Sequence, residues 1–360
     1  MSSITASLLQ SVAARDAATP TAKSPYIANV WYDYLFFIYS PLLALFVGII
    51  ISGTPFAEED TVILGREAPL ASILIGAFIM SHLVIVFFRS HLNREIFSQF
   101  PLRFTLVPII LFMAITTSVW AAVCVSVLAT WWDVYHSGMQ TFGLGRIYDM
   151  KAGNDAQLGR RLDKWLNILL YAGPILAGAT LMDHVEDFHE FEQVGSVFFT
   201  SIPASVESNK RFLTYAVLAV GLPYLVFYML AYWRYSRKGY NVSFPKVALF
   251  VSTGVCSIFT WGFNTFGEAF FIMNFFHALQ YFAIVWWMER KNVTSALGVD
   301  KSRFGRPLAL LTLLSVGFGY GFWAEVSDSN NQAAYNLILV VSILHFWYDG
   351  FIWSVRKKQV

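Results

Sequence analysis

Four histidines stand alone inside long apolar stretches of this chain: His82, His136, His277 and His345. A titratable group in a bilayer is costly to bury, and it faces a bundle interior or a water-filled cavity. Imidazole is the commonest metal ligand among side chains and suits Zn, Cu, Fe and Ni. Polar residues at helical spacing accompany the four. Asp349 follows His345 by four residues and Gln140 follows His136 by four. Asp133 precedes His136 by three, and Asn274 and Gln280 lie three to either side of His277. Such neighbours share a helix face with the histidine and are placed to set its tautomer and orientation. The pattern is not that of a haem bundle, because no apolar run carries two deep histidines. HxxxH and HxxHH diiron boxes are absent, and the apolar runs carry no Glu-x-x-His pairs of the ferritin-like type. Four lone histidines with coordination positions left over suit one non-haem Fe(II) that activates dioxygen. Zn and Cu are alternatives, because histidine alone does not choose the metal. The plain alternative for each histidine is a hydrogen bond between helices.

The elements that must carry these residues are membrane helices. Of 360 residues, 56% are hydrophobic and only 13% charged, against roughly 25% charged in a soluble domain. Mean hydropathy is +0.54. An ordinary soluble enzyme and a disordered chain are both excluded. A net charge of +2 with no basic stripe gives no footprint for nucleic acid. Cys124 and Cys256 are too far apart for a CxxC motif and read as buried small hydrophobes. Apolar runs near the ~20 residues needed to cross a bilayer cover 30–53, 67–89, 163–181, 212–233, 246–263, 268–289, 307–325 and 333–355. The stretch 102–147 is too long for one crossing and divides near Thr116-Thr117-Ser118 into 102–118 and 121–147. The expected fold is therefore an all-α polytopic bundle of about ten transmembrane helices.

Charge distribution sets the orientation. With the N-terminus inside, 22 of the 25 Lys and Arg fall on the inner side and three, Arg66, Lys210 and Arg211, on the outer. This is the positive-inside pattern, and it puts both termini in the cytoplasm. A nine-span reading would reverse every loop after residue 120 and destroy it. The four histidines then lie on helices that run from outside to inside, about 13–22 Å below their outer ends at ~1.5 Å per residue. They can meet in one layer. Residues 1–28 read as a flexible tail, 29–355 as a single membrane domain and 356–360 as a short cytoplasmic tail. No internal repeat is present.

Short segments around the histidines resemble the Brp/Blh family of membrane β-carotene dioxygenases. NFFHALQYFAIVWWMER of 274–290 is similar to that family's F-x-H-S-x-x-H-F-x-F-V-W motif, with His277 on its first histidine and Phe282, Val285 and Trp286 continuing it. VYHSGMQTF places His136 on the histidine of an I-H-F-G-M-x-D-F box. LHFWYDGFIWSVRK places His345 and Asp349 on a closing P-H-x-x-x-x-D-x-x-F-R segment, one residue shorter. His82 sits where the family has P-H-G-x-x-D. Tyr281 replaces the second histidine of the first motif, and the Pro, Gly and Asp around His82 are missing. The resemblance covers four segments in the right order across most of the chain. It implies an iron-dependent, O₂-using membrane enzyme whose substrate is a carotenoid or another lipid-soluble polyene entering from the bilayer. Trp132, Tyr281 and Tyr348 would line its slot.

Two other functions use the same residues. Buried His and Asp chains are the parts of a transporter or proton relay, and bridging histidines suit a non-catalytic membrane subunit. Bound metal and substrate-dependent O₂ uptake separate the three. The segment MDHVEDFHEFE, with His184, His189 and five acids, reads as a solvated acidic cap, and the apolar 194–206 as a surface or re-entrant lid. A multi-pass protein of a cell membrane, or of the inner membrane in a bacterium, is expected.

Overall fold

The computed structural model describes residues 24–327, 331–354 and 359. It is about 81% helical, so the all-α class holds. Among the described residues ten long helices follow one another: α1 (Ser40–Ile51), α2 (Leu70–Ser90), α3 (Pro101–Thr117), α4 (Val119–Lys151), α5 (Arg160–Ala177), α6 (Ile202–Ser236), α7 (Phe244–Trp261), α8 (Phe266–Ala296), α9 (Gly305–Val326) and α10 (Gln332–Ile352). Six of the segments are each long and apolar enough to cross a membrane, and three bent pairs raise the count to nine if each pair is one span.

The break expected near Thr116-Thr117-Ser118 falls at Ser118. Its extended backbone ends α3, and its hydroxyl accepts from Ala121 N at 3.3 Å to cap α4. The chain bends there by 117°. Helix α6 begins ten residues earlier than the apolar run 212–233, carrying Glu207, Lys210 and Arg211 in its first turns. Only 6% of its most apolar window is buried, so Phe227, Met229 and Trp233 face outward. A helix this apolar with so little protein cover is suited to lipid.

An antiparallel hairpin that the apolar pattern did not anticipate, β1 (Asp60–Ile63) and β2 (Arg66–Pro69), joins α1 to α2. Its two-residue turn, Leu64-Gly65, has φ of 52° and 88°, the left-handed pair that two-residue hairpins use. The expected tail 1–28 lies largely outside the described residues. Of its last five, Ile27 is buried, and Ile27 N and Ala28 N donate to Asp33 at 2.6 and 2.9 Å. Gln359 is likewise buried, with its amide on Gln99 at 3.0 Å.

Two buried ionic clusters clamp the helices below the histidines. Arg89 of α2 pairs with Glu289 of α8 and donates to the Ile352 carbonyl of α10, with its guanidinium 3.9 Å from the centre of the Trp353 ring. Three of the four histidine-bearing helices are joined at that point. Arg146 of α4 and Lys246 of α7 both reach Asp149 and Asp163, at 2.5–2.8 Å. Tyr228 and Tyr232 of α6 donate to Asp163. Arg89, Arg146 and Lys246 thus belong to neutralised buried clusters and not to inner loops, as the charge count had placed them.

Candidate metal centre

The side chains of His82, His136, His277 and His345 converge from α2, α4, α8 and α10, each at most 4% exposed. Neighbouring rings follow in a closed circuit. Centroid separations are 5.0 Å for His82–His277, 4.9 Å for His277–His136, 4.8 Å for His136–His345 and 4.8 Å for His345–His82. Ligand atoms form two overlapping groups, each within 4.8 Å. One is His82, His277 and His345; the other is His136, His345 and Asp349. His345 belongs to both.

Tautomers favour a cation at this point. His82 Nδ1 donates to the carbonyl of Ile79. In the neutral ring Nε2 then carries the free lone pair. That Nε2 has no partner, nor do His277 Nε2 and His345 Nδ1. Buried polar atoms left unpaired in a membrane-like core cost about 1–3 kcal/mol each, and a bound cation would satisfy these nitrogens. His136 Nε2 and His345 Nε2 are 3.1 Å apart. Two nitrogens bound to one metal at ~2.0–2.1 Å are about 2.9–3.4 Å apart, from right-angled to tetrahedral geometry. The donor set fits Fe(II), Zn(II) or Cu(II) by chemistry.

Asp349 is held at the edge of the site by its other oxygen. Oδ1 accepts from Tyr281 Oη at 2.8 Å and Trp353 Nε1 at 2.9 Å. Oδ2 faces His136 Nε2 at 3.8 Å and His345 Nε2 at 4.0 Å. Trp353 was not anticipated; its position four residues after Asp349 was the available signal. Tyr281 lies at the centre, its ring 4.6 Å from that of His345. The other expected companions do different work. Gln140 Nε2 donates to the His277 carbonyl at 3.1 Å and to Gln280 Oε1 at 3.0 Å, and Gln280 donates to the Phe37 carbonyl at 2.9 Å. The two glutamines therefore position the α8 backbone and not an imidazole. Asn274 and Ser137 stand beside Asp133. Tyr348 packs on Phe104 and His91, and Trp132 on Phe346.

A chamber of about 310 Å³ stands against the site. His82 closes one end, and His184, Asp187 and Phe266 border the other. His184 is buried, with Nδ1 on the Thr180 carbonyl at 2.9 Å and its ring 5.1 Å from Trp261, which corrects its placement in a solvated cap. His189 is half exposed, 3.7 Å from Glu192. Comparison with family models, curated proteins and solved structures finds no match for the chain.

Proposed function

We propose that this chain is a multi-pass membrane oxygenase that uses a histidine-bound iron and O₂ on a lipid-soluble substrate, with oxidative attack at a carbon–carbon double bond as its reaction class. It crosses the bilayer ten times with both termini in the cytoplasm, α3 and α4 being two crossings joined at Ser118. The observation that supports the reading best is the pair of overlapping ligand groups centred on His345, with unpaired buried nitrogens on His82 and His277. His82, His277 and His345 would hold the metal, with His136 and Asp349 beside it. Bound Fe(II) supplies the one-electron chemistry that lets triplet O₂ react with a closed-shell molecule.

The rest of the work belongs to the chain. Tyr281 and Trp353 hold Asp349 with one oxygen toward His136 and His345. Gln140 and Gln280 keep α8 in register with α4. The apolar bundle excludes water from the reacting carbon, which suppresses side reactions. Metal content tests the reading. The detergent-purified chain is expected to take about one iron per chain after anaerobic reconstitution, and His277→Ala and His345→Ala to take none. A folded wild-type chain that binds no iron, zinc or copper sinks the proposal.

A further inference from the structure

The chamber beside the histidines has a shape and a chemistry of its own. Four of its lining residues, Ile79, Asp133, Asn274 and Ser342, each lie three positions before one of the four histidines. The chamber therefore rests on the face of the histidine layer that looks toward the N-terminal ends of α2, α4, α8 and α10. A molecule that fills it reaches His82.

Its volume sets the size of an occupant. About 310 Å³ is the room of roughly ten liquid water molecules and lies at the small end of ligand pockets, which run from ~300 to 1,000 Å³. A full-length carotenoid is too large, whereas a molecule of roughly ten to fifteen non-hydrogen atoms fits. Its walls are chiefly apolar, with Leu83, Phe270, Met273 and Phe346 among them. Polar groups interrupt them, Asp133 with Asn274 and Ser137 beside it and Asp187 toward the other end. A carboxyl group presents about four hydrogen-bonding positions, and a hydroxyl can donate to it or accept from it.

We infer that the chamber binds an apolar alcohol of about ten to fifteen heavy atoms, hydroxyl on Asp133 and hydrocarbon toward Phe266 and Phe270. Calling that alcohol the substrate rests on the oxygenase reading; its binding does not.

Binding is tested on the full-length, metal-free chain in nanodiscs, with bromoundecanol and bromoundecane as quenchers of tryptophan fluorescence. The alcohol should quench saturably and at least tenfold more tightly than the alkane. Asp133→Leu should erase that preference, and His136→Ala should keep it. Equal binding of alcohol and alkane by the wild type overturns the inference, as does an unchanged preference in folded Asp133→Leu. A second measurement needs no variant. Across a series of unbranched alcohols displacing bromoundecanol, affinity should rise with length and then fall once the chain outgrows the chamber. A rise that continues into molecules of carotenoid length also overturns it. Iron uptake by the same chain after anaerobic reconstitution separates the two proposals. Alcohol binding without metal uptake leaves the chamber and removes the oxygenase; metal uptake without alcohol preference does the reverse.

Discussion

Asp349 is the residue at which structural and metal-directed roles can be pulled apart. Its Oδ1 is fully engaged by Tyr281 and Trp353, while Oδ2 has only the two imidazoles in front of it. In Asp349→Asn the amide oxygen still accepts from Tyr281 and Trp353, but an NH₂ replaces the oxygen that faces the histidines. Iron affinity, measured by competition with a chelator, should fall roughly 10–100-fold, the usual effect of altering a group beside a metal ligand. The melting temperature should change little. Tyr281→Phe removes one donor from Oδ1 and leaves Oδ2 in place, so its effect on affinity should be smaller. A variant Asp349→Asn that loses stability and keeps its affinity would make the aspartate a structural anchor only. The four histidines and Asp349 were legible in the sequence because a titratable group in an apolar run has few inexpensive explanations. What was not legible is partnership. Spacing tells which residues share a helix face, but not which neighbouring helix that face meets. Hence Gln140 and Gln280 were expected on imidazoles and instead bind each other and the backbone.

The close packing of α2 against α9 is decided by glycine. A Cβ at Gly321 would collide with the Ala77 carbonyl oxygen and the Ser81 hydroxyl of α2, whereas one at Gly319 meets nothing within 4 Å. Small residues let membrane helices approach this closely. Gly321→Val should therefore push α9 away from the helix that carries His82. It should cost on the order of 1–3 kcal/mol, as overpacking does, and weaken iron binding; Gly319→Val should do neither. Thermal melts and iron titrations of the two variants check this.

The next joint along α2 supplies a pH test. His91, just beyond α2, is hydrogen-bonded through Nε2 to the Phe104 carbonyl at 3.1 Å. Burial lowers its pKa, and the Phe104 bond opposes that only in part. The imidazole is neutral in the folded chain, so its contribution to stability is complete above the ordinary histidine value of ~6.5 and is lost as pH falls through the lowered one. The wild type should lose melting temperature more steeply than His91→Gln on acidification from about pH 7 to 5; parallel profiles would remove His91 from the linkage. At this scale the apolar runs and the break at Ser118 were legible, because length alone forbids one straight crossing. The start of α6 was not, because a helix can continue past the hydrocarbon with Glu207, Lys210 and Arg211 in its turns. The hairpin was missed because four-residue strands carry too short an alternation to register.

For the whole molecule, the number of crossings decides on which side of the membrane the chamber's outer end lies. Helices α3 and α4 meet at 117°. If they are two crossings, residues 152–159 return to the same side as the N-terminus; if they form one broken span, that loop and all after it change sides. The charge pattern favours two. Removing the buried Arg89, Arg146 and Lys246 from the inner count of 22 still leaves a large excess over the three outer cations. Length also argues for two crossings: α4 alone has 33 residues, about 50 Å at ~1.5 Å per residue, more than the ~30 Å hydrocarbon core. Single cysteines at Glu59 and Asp155, placed in a chain with Cys124 and Cys256 changed to serine, test this in sealed cells with a membrane-impermeant maleimide. Glu59→Cys should label in intact cells, and Asp155→Cys only after permeabilisation. Labelling of both from outside would make α3–α4 a single broken span. It would also move the entrance bordered by His184 and Asp187 to the cytoplasmic side.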